Sequence, residues 1–417
     1  MSPRNTRIAA IAAIALWALV SLAFLVPVWQ TPTLAIRGDD YWAMSEWFAA
    51  LGPYPHSYFG PGFPLIIHLL RGAGITLFGL IVVQKLMVGL TGLVLYRLGR
   101  LLGLSELAAI AAAGAYTIFP VVQANSSLVF AETPYLLFST LAVTLIIAQA
   151  KQPARSTLAW LTLAFALLGF AALVRGNALV LWPACGLIAL ARLPWTRVLV
   201  AGLIGAAPVL GWSALNYHWY GYFKPTSSGD AAVAASLVGP VMTELEGRPR
   251  FAGPDVWIDG PWQAHYANLF EFSRHTRELA IEYAKAHPGE VIHGNIKGWV
   301  KTLVGPGRND FDELLPAHDE WLTILSLAIR GLLLAGLVAY VATGAARRQL
   351  AFSVVLAAML LAHVAASGAA GYSRFGFPVD AYSVLALALA WQAIAAVWGS
   401  APAGDRQPRM PAALRSE

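Results

Sequence analysis

Charge is scarce in this chain. Asp, Glu, Lys and Arg make up 12% of its 417 residues, 58% are hydrophobic, and mean hydropathy is +0.61. A soluble domain carries about 25% charge, so the composition points to a polytopic membrane protein. Cysteine is scarcer still: Cys185 stands alone in an apolar segment, which excludes disulfides within the chain and Cys-based metal sites. No P-loop, GxSxG, HExxH or metal-spaced Cys/His cluster occurs, so ATP hydrolysis and serine or zinc hydrolase chemistry lack support. Internal repeats are absent, and the only biased stretch is a Pro- and Arg-containing tail, 399–417, expected to be disordered.

Apolar runs of about 20 residues, by contrast, recur throughout. Candidate spans are 8–29, 77–97, 104–122, 129–149, 156–174, 177–193, 198–215, 321–343, 349–367 and 380–398. The first is long for a signal h-region and no clear small-x-small cleavage site follows, so it reads as a retained span. With the N-terminus inside, alternate connections should be rich in Lys and Arg. Those connections hold thirteen basic residues, from Arg4 and Arg7 to Arg406, Arg409 and Arg415, against the acids Glu106, Asp405 and Glu417. The opposite side holds two long connections, 30–76 and 216–320, the latter with fourteen acids and nine bases. Ten spans with both termini cytoplasmic satisfy the rule at every connection. The pI near 9.4 is then a topology signal rather than a nucleic-acid footprint. Four parts are expected: a transmembrane module over 1–215, an external mostly helical segment over 216–320, C-terminal spans over 321–398 and the tail.

Chemistry is expected on the external face, and ionisable groups near membrane depth are its first candidates. Asp39 and Asp40 sit side by side directly before "YWAMSEWFAAL". One acid is accounted for by capping a helix along the interface; a pair can also divide roles, one orienting and one taking a proton at a raised pKa. The pair is also of the type that holds a divalent cation. In "YFGPGFPLIIHLL" the Pro and Gly residues force a stiff turn into a run too short to span, which reads as a re-entrant or in-plane helix. His56, Tyr58 and His68 lie in or beside it, and a lone His is more often an ordinary polar residue than a ligand. Glu132, at the external start of the fourth span, either complements the helix dipole or faces the acid pair across a polar cavity. Arg175 and Arg374, with Lys85, are suited to an anionic lipid headgroup, although snorkelling would also account for them. Arg330 lies mid-span without an evident partner. Asn216, Tyr217 and Lys224 open "NYHWYGYFKPTSSGD", with five aromatics between Tyr217 and Phe223. This stretch forms either a sugar-stacking rim or an interfacial aromatic belt. Further on, "RHTRELAIEYAKAHPGEVIHGNIKGWVKTLVG" reads as two amphipathic helices broken at "HPGE".

Several stretches together resemble a known family, and in its order. "GDDYWAMSEWF", "GPGFPLI", "FAETPYLLF", "LVRGNALVLWP", "LNYHWYGYFKPTSSG", "AKAHPGEVIHGNIKGWVK" and "GYSRFGFPVDAYSVL" are similar to motifs of GT-C fold membrane glycosyltransferases. The nearest branch in pattern is the bacterial one containing protein O-mannosyltransferases and the lipid A aminoarabinose transferase. The chain departs from that pattern at Asp40, usually Glu, at Gly60, often Arg or Lys, and at Leu215, usually Arg. The resemblance implies an all-α GT-C-like fold in a bacterial inner membrane, and a hexosyl or pentosyl transferase working at the periplasmic face. It implies a polyprenyl-phosphate sugar donor, inversion at the anomeric carbon, and Asp39 or Asp40 as the general base. Arg175, Arg374 and Lys85 would hold the donor phosphate, while Glu132, His56, Tyr58, Asn216, Tyr217 and Lys224 would line the cavity. No cofactor is implied as required, no nucleic acid is expected, and the acceptor is a glycan, lipid or protein. A glycan ligase or polymerase of related fold, using a lipid diphosphate, stays open. So does a lipid or sugar transporter, although the unequal long loops do not suggest repeated halves.

Overall fold

The structure is a computed structural model; it describes residues 3–36, 41–50, 52–154, 156–247, 265–305, 311, 314–371 and 376–399. Its longer helices are α1 (Pro3–Gln30), α2 (Gly62–Gly72), α3 (Leu77–Leu101), α4 (Glu106–Ile118), α5 (Glu132–Lys151), α6 (Thr157–Val174) and α7 (Ala178–Leu190). They continue with α8 (Trp195–Tyr220), α9 (Leu269–Ala286), α10 (Pro288–Val304), α11 (Asp319–Ala342), α12 (Leu350–Leu360) and α13 (Phe377–Gly399). No strand occurs among the described residues. Seven helices are long and apolar enough to cross a membrane, and α4, α7 and the stretch Leu350–Ala365 are shorter apolar helices. Each of these ten overlaps one of the ten expected spans, of which seven are long enough to cross and three fall short, and the protein is an all-α polytopic membrane protein. The 3.6-residue turn closes every backbone hydrogen bond within the segment, which is what hydrocarbon demands.

Local sequence sets the ends. Thr76 and Ser105 accept hydrogen bonds from the N–H groups of Gly79 and Ala108, capping α3 and α4. Asn268 caps α9 through Phe270 and Glu271, while the Glu271 carboxylate accepts in return from the Ala267 N–H. Gly221, at φ +77°, closes α8 in the left-handed conformation. The "HPGE" break falls as expected: α9 stops at Ala286 and Pro288 opens α10, where a missing N–H is harmless. The "PGFPLIIHLL" run is the eleven-residue α2, about 17 Å long and thus too short to span.

Packing follows contact between small residues. Helix α6 packs against α5 on one side and α8 on the other, and α11 packs along α13. A Cβ on Gly169 would collide with the Gly205 carbonyl, and one on Gly205 with the backbone of Phe165. The α6 and α8 backbones therefore touch, as they do where glycine replaces the driving force that water supplies elsewhere. Gly205→Leu is expected to destabilise the protein by about 1–3 kcal/mol through overpacking. Gly211→Leu on the same helix, where nothing lies within 4 Å, should leave thermal stability in detergent unchanged. Helix α1 turns Ile8, Ile11, Leu19, Leu22 and Trp29 outward, a lipid-facing surface.

Mid-span Arg330 acquires its partner here. Its guanidinium, fully buried, donates to Asp380 Oδ2 of α13 at 2.9 Å and also to the Gly305 carbonyl beyond α10.

Candidate functional site

A cavity of about 850 Å³ lies where six pieces of chain meet. They are Tyr41; the loop Tyr58–Gly60; the turn 174–180 between α6 and α7; residues 224–244; one face of α10; and residues 361–370 after α12. Two of these walls contain single π-turns, Val233–Val238 and Leu361–Ala365. Such widened turns displace side chains from the regular helical face and recur at functional sites.

The segments flanking the acid pair are pinned. On one side the Val129 N–H donates to the Ala35 carbonyl at 2.8 Å. On the other, Arg71 of α2 donates to the Trp42 carbonyl and Ser45 Oγ, both at 3.0 Å, and to Glu46 Oε1 at 2.9 Å. Its guanidinium also lies 4.6 Å over the Trp42 ring. Trp47 then packs edge-on against Tyr54, Trp212 and Trp219. Burial, and secondarily the Tyr220 phenol, push the Tyr54 phenol above its ordinary value, so it stays neutral. Asp39 and Asp40 themselves lie outside the described residues, as does Arg374. Tyr41, next in sequence to Asp40, lines the cavity.

Arg175 ends α6 in an extended conformation and lines the cavity, where its guanidinium forms an ion pair with the Glu132 carboxylate. Glu132 is 2% exposed, so the pair is buried at the junction of α5, α6 and α7. Lys224 and Tyr58 also line the cavity. Lys224 Nζ lies 2.5 Å from Asp230 Oδ2, and Arg277 approaches the same carboxylate at 3.8 Å.

Other expected site residues fall elsewhere. Lys85 is 3% exposed, and its ammonium donates to the Gln123 carbonyl, to Gln123 Oε1 and to Ser126 Oγ. With its three N–H groups taken, Lys85 is not brought to the cavity. Asn216 is buried, its amide donating to the Lys224 and Pro225 carbonyls at 2.7 and 3.1 Å, so it shapes the turn rather than lining the cavity. Tyr217 is 61% exposed on the outside of α8. His56 sits edge-on to Tyr54 and His68 beside Phe48, within the aromatic cluster. Among the described residues, no group of three His, Cys, Asp or Glu side chains could hold a metal.

Sequence reading missed several lining residues. Gly294, Lys297, Gly298 and Lys301 share one face of α10 at the spacing i, i+3, i+4, i+7. Lys297 pairs with Glu244 at 3.2 Å, whereas Lys301 has no ion-pair partner among the described residues. That spacing was visible in "GNIKGWVK", but nothing in the sequence said that the face looks into a cavity. Gly60 also gains a reason. A Cβ there would overlap the Leu173 carbonyl, and one on Gly62 would lie 2.7 Å from the Val174 N–H nitrogen. No arginine or lysine fits at Gly60 while the loop packs on the end of α6.

A cavity of mixed apolar and polar walls, in which one ion-paired guanidinium and three lysines outnumber the lining carboxylates Asp230 and Glu244, suits an amphiphile with an anionic head. Residues 59–212 match the family described as dolichyl-phosphate-mannose-protein mannosyltransferase. That stretch includes Gly60, Glu132, Arg175, helices α2 to α7 and most of α8. No curated protein matches the chain. Among solved structures, the chain is similar to the archaeal oligosaccharyltransferase AglB from Archaeoglobus fulgidus, in complex with an inhibitory peptide and a dolichol-phosphate. The likeness has 14% identity and a TM-score of 0.45, over 94% of this chain and 52% of that one. The chain thus spans about half the length of that structure. Through residues 59–212, which place Arg175 on the wall of its cavity with Glu132 buried behind it, this all-α membrane protein carries the pattern of the mannosyltransferase family and resembles membrane glycosyltransferases.

Proposed function

We propose that the protein is an inverting glycosyltransferase that moves a sugar from a polyprenyl-phosphate donor to an acceptor hydroxyl. One observation carries the reading: the family-matched segment places Arg175 on the wall of an 850 Å³ cavity that Tyr41, adjacent in sequence to the acid pair, also lines. One carboxylate of Asp39 and Asp40 accepts a hydrogen bond from the acceptor hydroxyl and removes its proton as oxygen attacks the anomeric carbon from the face opposite the phosphate. The bond from the anomeric carbon to the phosphate oxygen breaks, and the lipid phosphate leaves with the charge that Arg175 and Arg374 stabilise. Glu132 keeps the Arg175 fork oriented. A glycosyl phosphate is already activated, so no nucleotide is consumed. The positive-inside count supports cytoplasmic termini and a cavity on the opposite face, and the resemblance to the bacterial branch supports a bacterial inner membrane with that face periplasmic. The count also leaves 1–215 and 321–398 as the membrane modules around the external segment 216–320.

The test supplies the purified protein in liposomes with labelled polyprenyl-phosphate sugars, polyprenyl-diphosphate sugars and nucleotide sugars in parallel. Transfer from the monophosphate donors alone is expected. Transfer from the diphosphate lipids alone would instead identify the ligase or polymerase reading. Movement of intact donor across the bilayer without bond cleavage would identify a transporter.

A further inference from the structure

Asn177 occupies the N-cap position of α7, the place where an Asn side chain normally accepts from a free N–H of the first turn. Here it makes no such hydrogen bond. Its amide instead reaches across to the π-turn after α12, with Nδ2 3.5 Å from Nδ1 of His363. His363 is wholly buried, and its Nε2 lies 2.8 Å from the Tyr135 hydroxyl. That hydroxyl in turn points to Met359 Sδ at 3.5 Å. The partners assign a direction to the chain. Asn177 donates to Nδ1, Nε2–H donates to the Tyr135 oxygen, and the Tyr135 O–H donates to sulfur, with the imidazole as the Nε2–H tautomer. The other edge of the Asn177 amide, Oδ1, has no hydrogen-bond partner among the described residues and belongs to a residue that lines the cavity beside Arg175.

We propose that Asn177 is a specificity-determining residue whose amide oxygen, turned into the cavity by the buried His363–Tyr135 relay, accepts a hydrogen bond from one hydroxyl of the donor sugar. This inference rests on the glycosyltransferase reading and adds to it. Arg175 beside Asn177 offers only donors, which suit phosphate, and the lining carboxylates Asp230 and Glu244 are engaged by Lys224 and Lys297; the Asn177 amide oxygen is an acceptor next to Arg175 that a sugar hydroxyl can use. The diverted cap explains why an Asn at this position does not cap. The π-turn explains how a fully buried imidazole comes to face the start of α7. His363 touches no ligand in this arrangement and is a positioning residue: its Nδ1 holds the amide so that nitrogen faces inward and oxygen outward.

The experiment measures binding of polyprenyl-phosphate sugars and of bare polyprenyl phosphate to the protein in nanodiscs. Asn177→Ala is expected to weaken the sugar-bearing lipid about tenfold and leave the bare lipid unchanged. His363→Asn keeps an acceptor where Nδ1 stands and should preserve the discrimination. His363→Gln keeps only the group facing Tyr135 and should lose it as Asn177→Ala does. Among donors lacking single hydroxyls, one should bind wild type about tenfold more weakly and show no further loss with Asn177→Ala. Equal weakening of both lipids in Asn177→Ala, or no weakening of either, overturns the proposal, as does His363→Asn behaving like His363→Gln. If wild type fails to distinguish any sugar-bearing lipid from the bare lipid, the glycosyltransferase reading itself falls.

Discussion

Asn at one of the positions 39 and 40 is expected to lower transfer by about 10²–10⁴-fold, the usual contribution of a general base, with donor binding intact. Asp→Asn keeps size and an acceptor oxygen while removing basicity, so a role in capping or packing should survive it. The expectation rests on placement of the flanks. Ala35 is tied to Val129, and Trp42, Ser45 and Glu46 are tied to Arg71. Tyr41, next in sequence to Asp40, lines the cavity. In the proposed mechanism one carboxylate removes the proton, so the two single variants should differ, with Asp39→Asn the more severe. The measurement is initial rate at saturating donor, beside donor affinity in the same preparation. Full activity in both single variants and in the double variant would remove the acid pair from the mechanism.

The second large effect concerns stability. Arg330→Met or Asp380→Asn alone should each destabilise the protein by about 3–5 kcal/mol, because either leaves an uncompensated charge in a buried site. Arg330→Met combined with Asp380→Asn should lose much less, since no buried charge is then left unpaired and the desolvation penalty disappears with it. The arginine also binds the Gly305 carbonyl just after α10, and a Cβ on Gly376 would come within 3.0 Å of its Nη2. Losing the guanidinium therefore loosens the end of the helix that presents Lys297 and Lys301. Apparent melting temperature in detergent, read for both single variants and the double, decides the matter. A double variant as unstable as the sum of the singles would show that the two residues act independently.

The apolar runs determined the place of the long apolar helices, because hydrocarbon tolerates a backbone only when its hydrogen bonds close locally, and that closure is a property of contiguous sequence. Break signals were equally local: "HPGE" ended one helix and opened the next, and Pro with Gly kept α2 short. Ordered motifs pointed to the family that residues 59–212 match, and Arg175 was visible as a lone charge in apolar surroundings. Pairing was not visible. Lys85 looked like a headgroup ligand, but its ammonium donates to Gln123 and Ser126, and Asn216 looked like a cavity residue, but its amide holds the turn at Lys224 and Pro225. Arg330 had no evident partner because Asp380 lies fifty positions away. Nor could the Asn177–His363–Tyr135 relay be read along the chain, since its members come from three helical regions joined only by packing. A side chain's type and depth are written in its neighbours in sequence. Which proton it gives, and to what, depends on neighbours in space, and only the tertiary structure decided those.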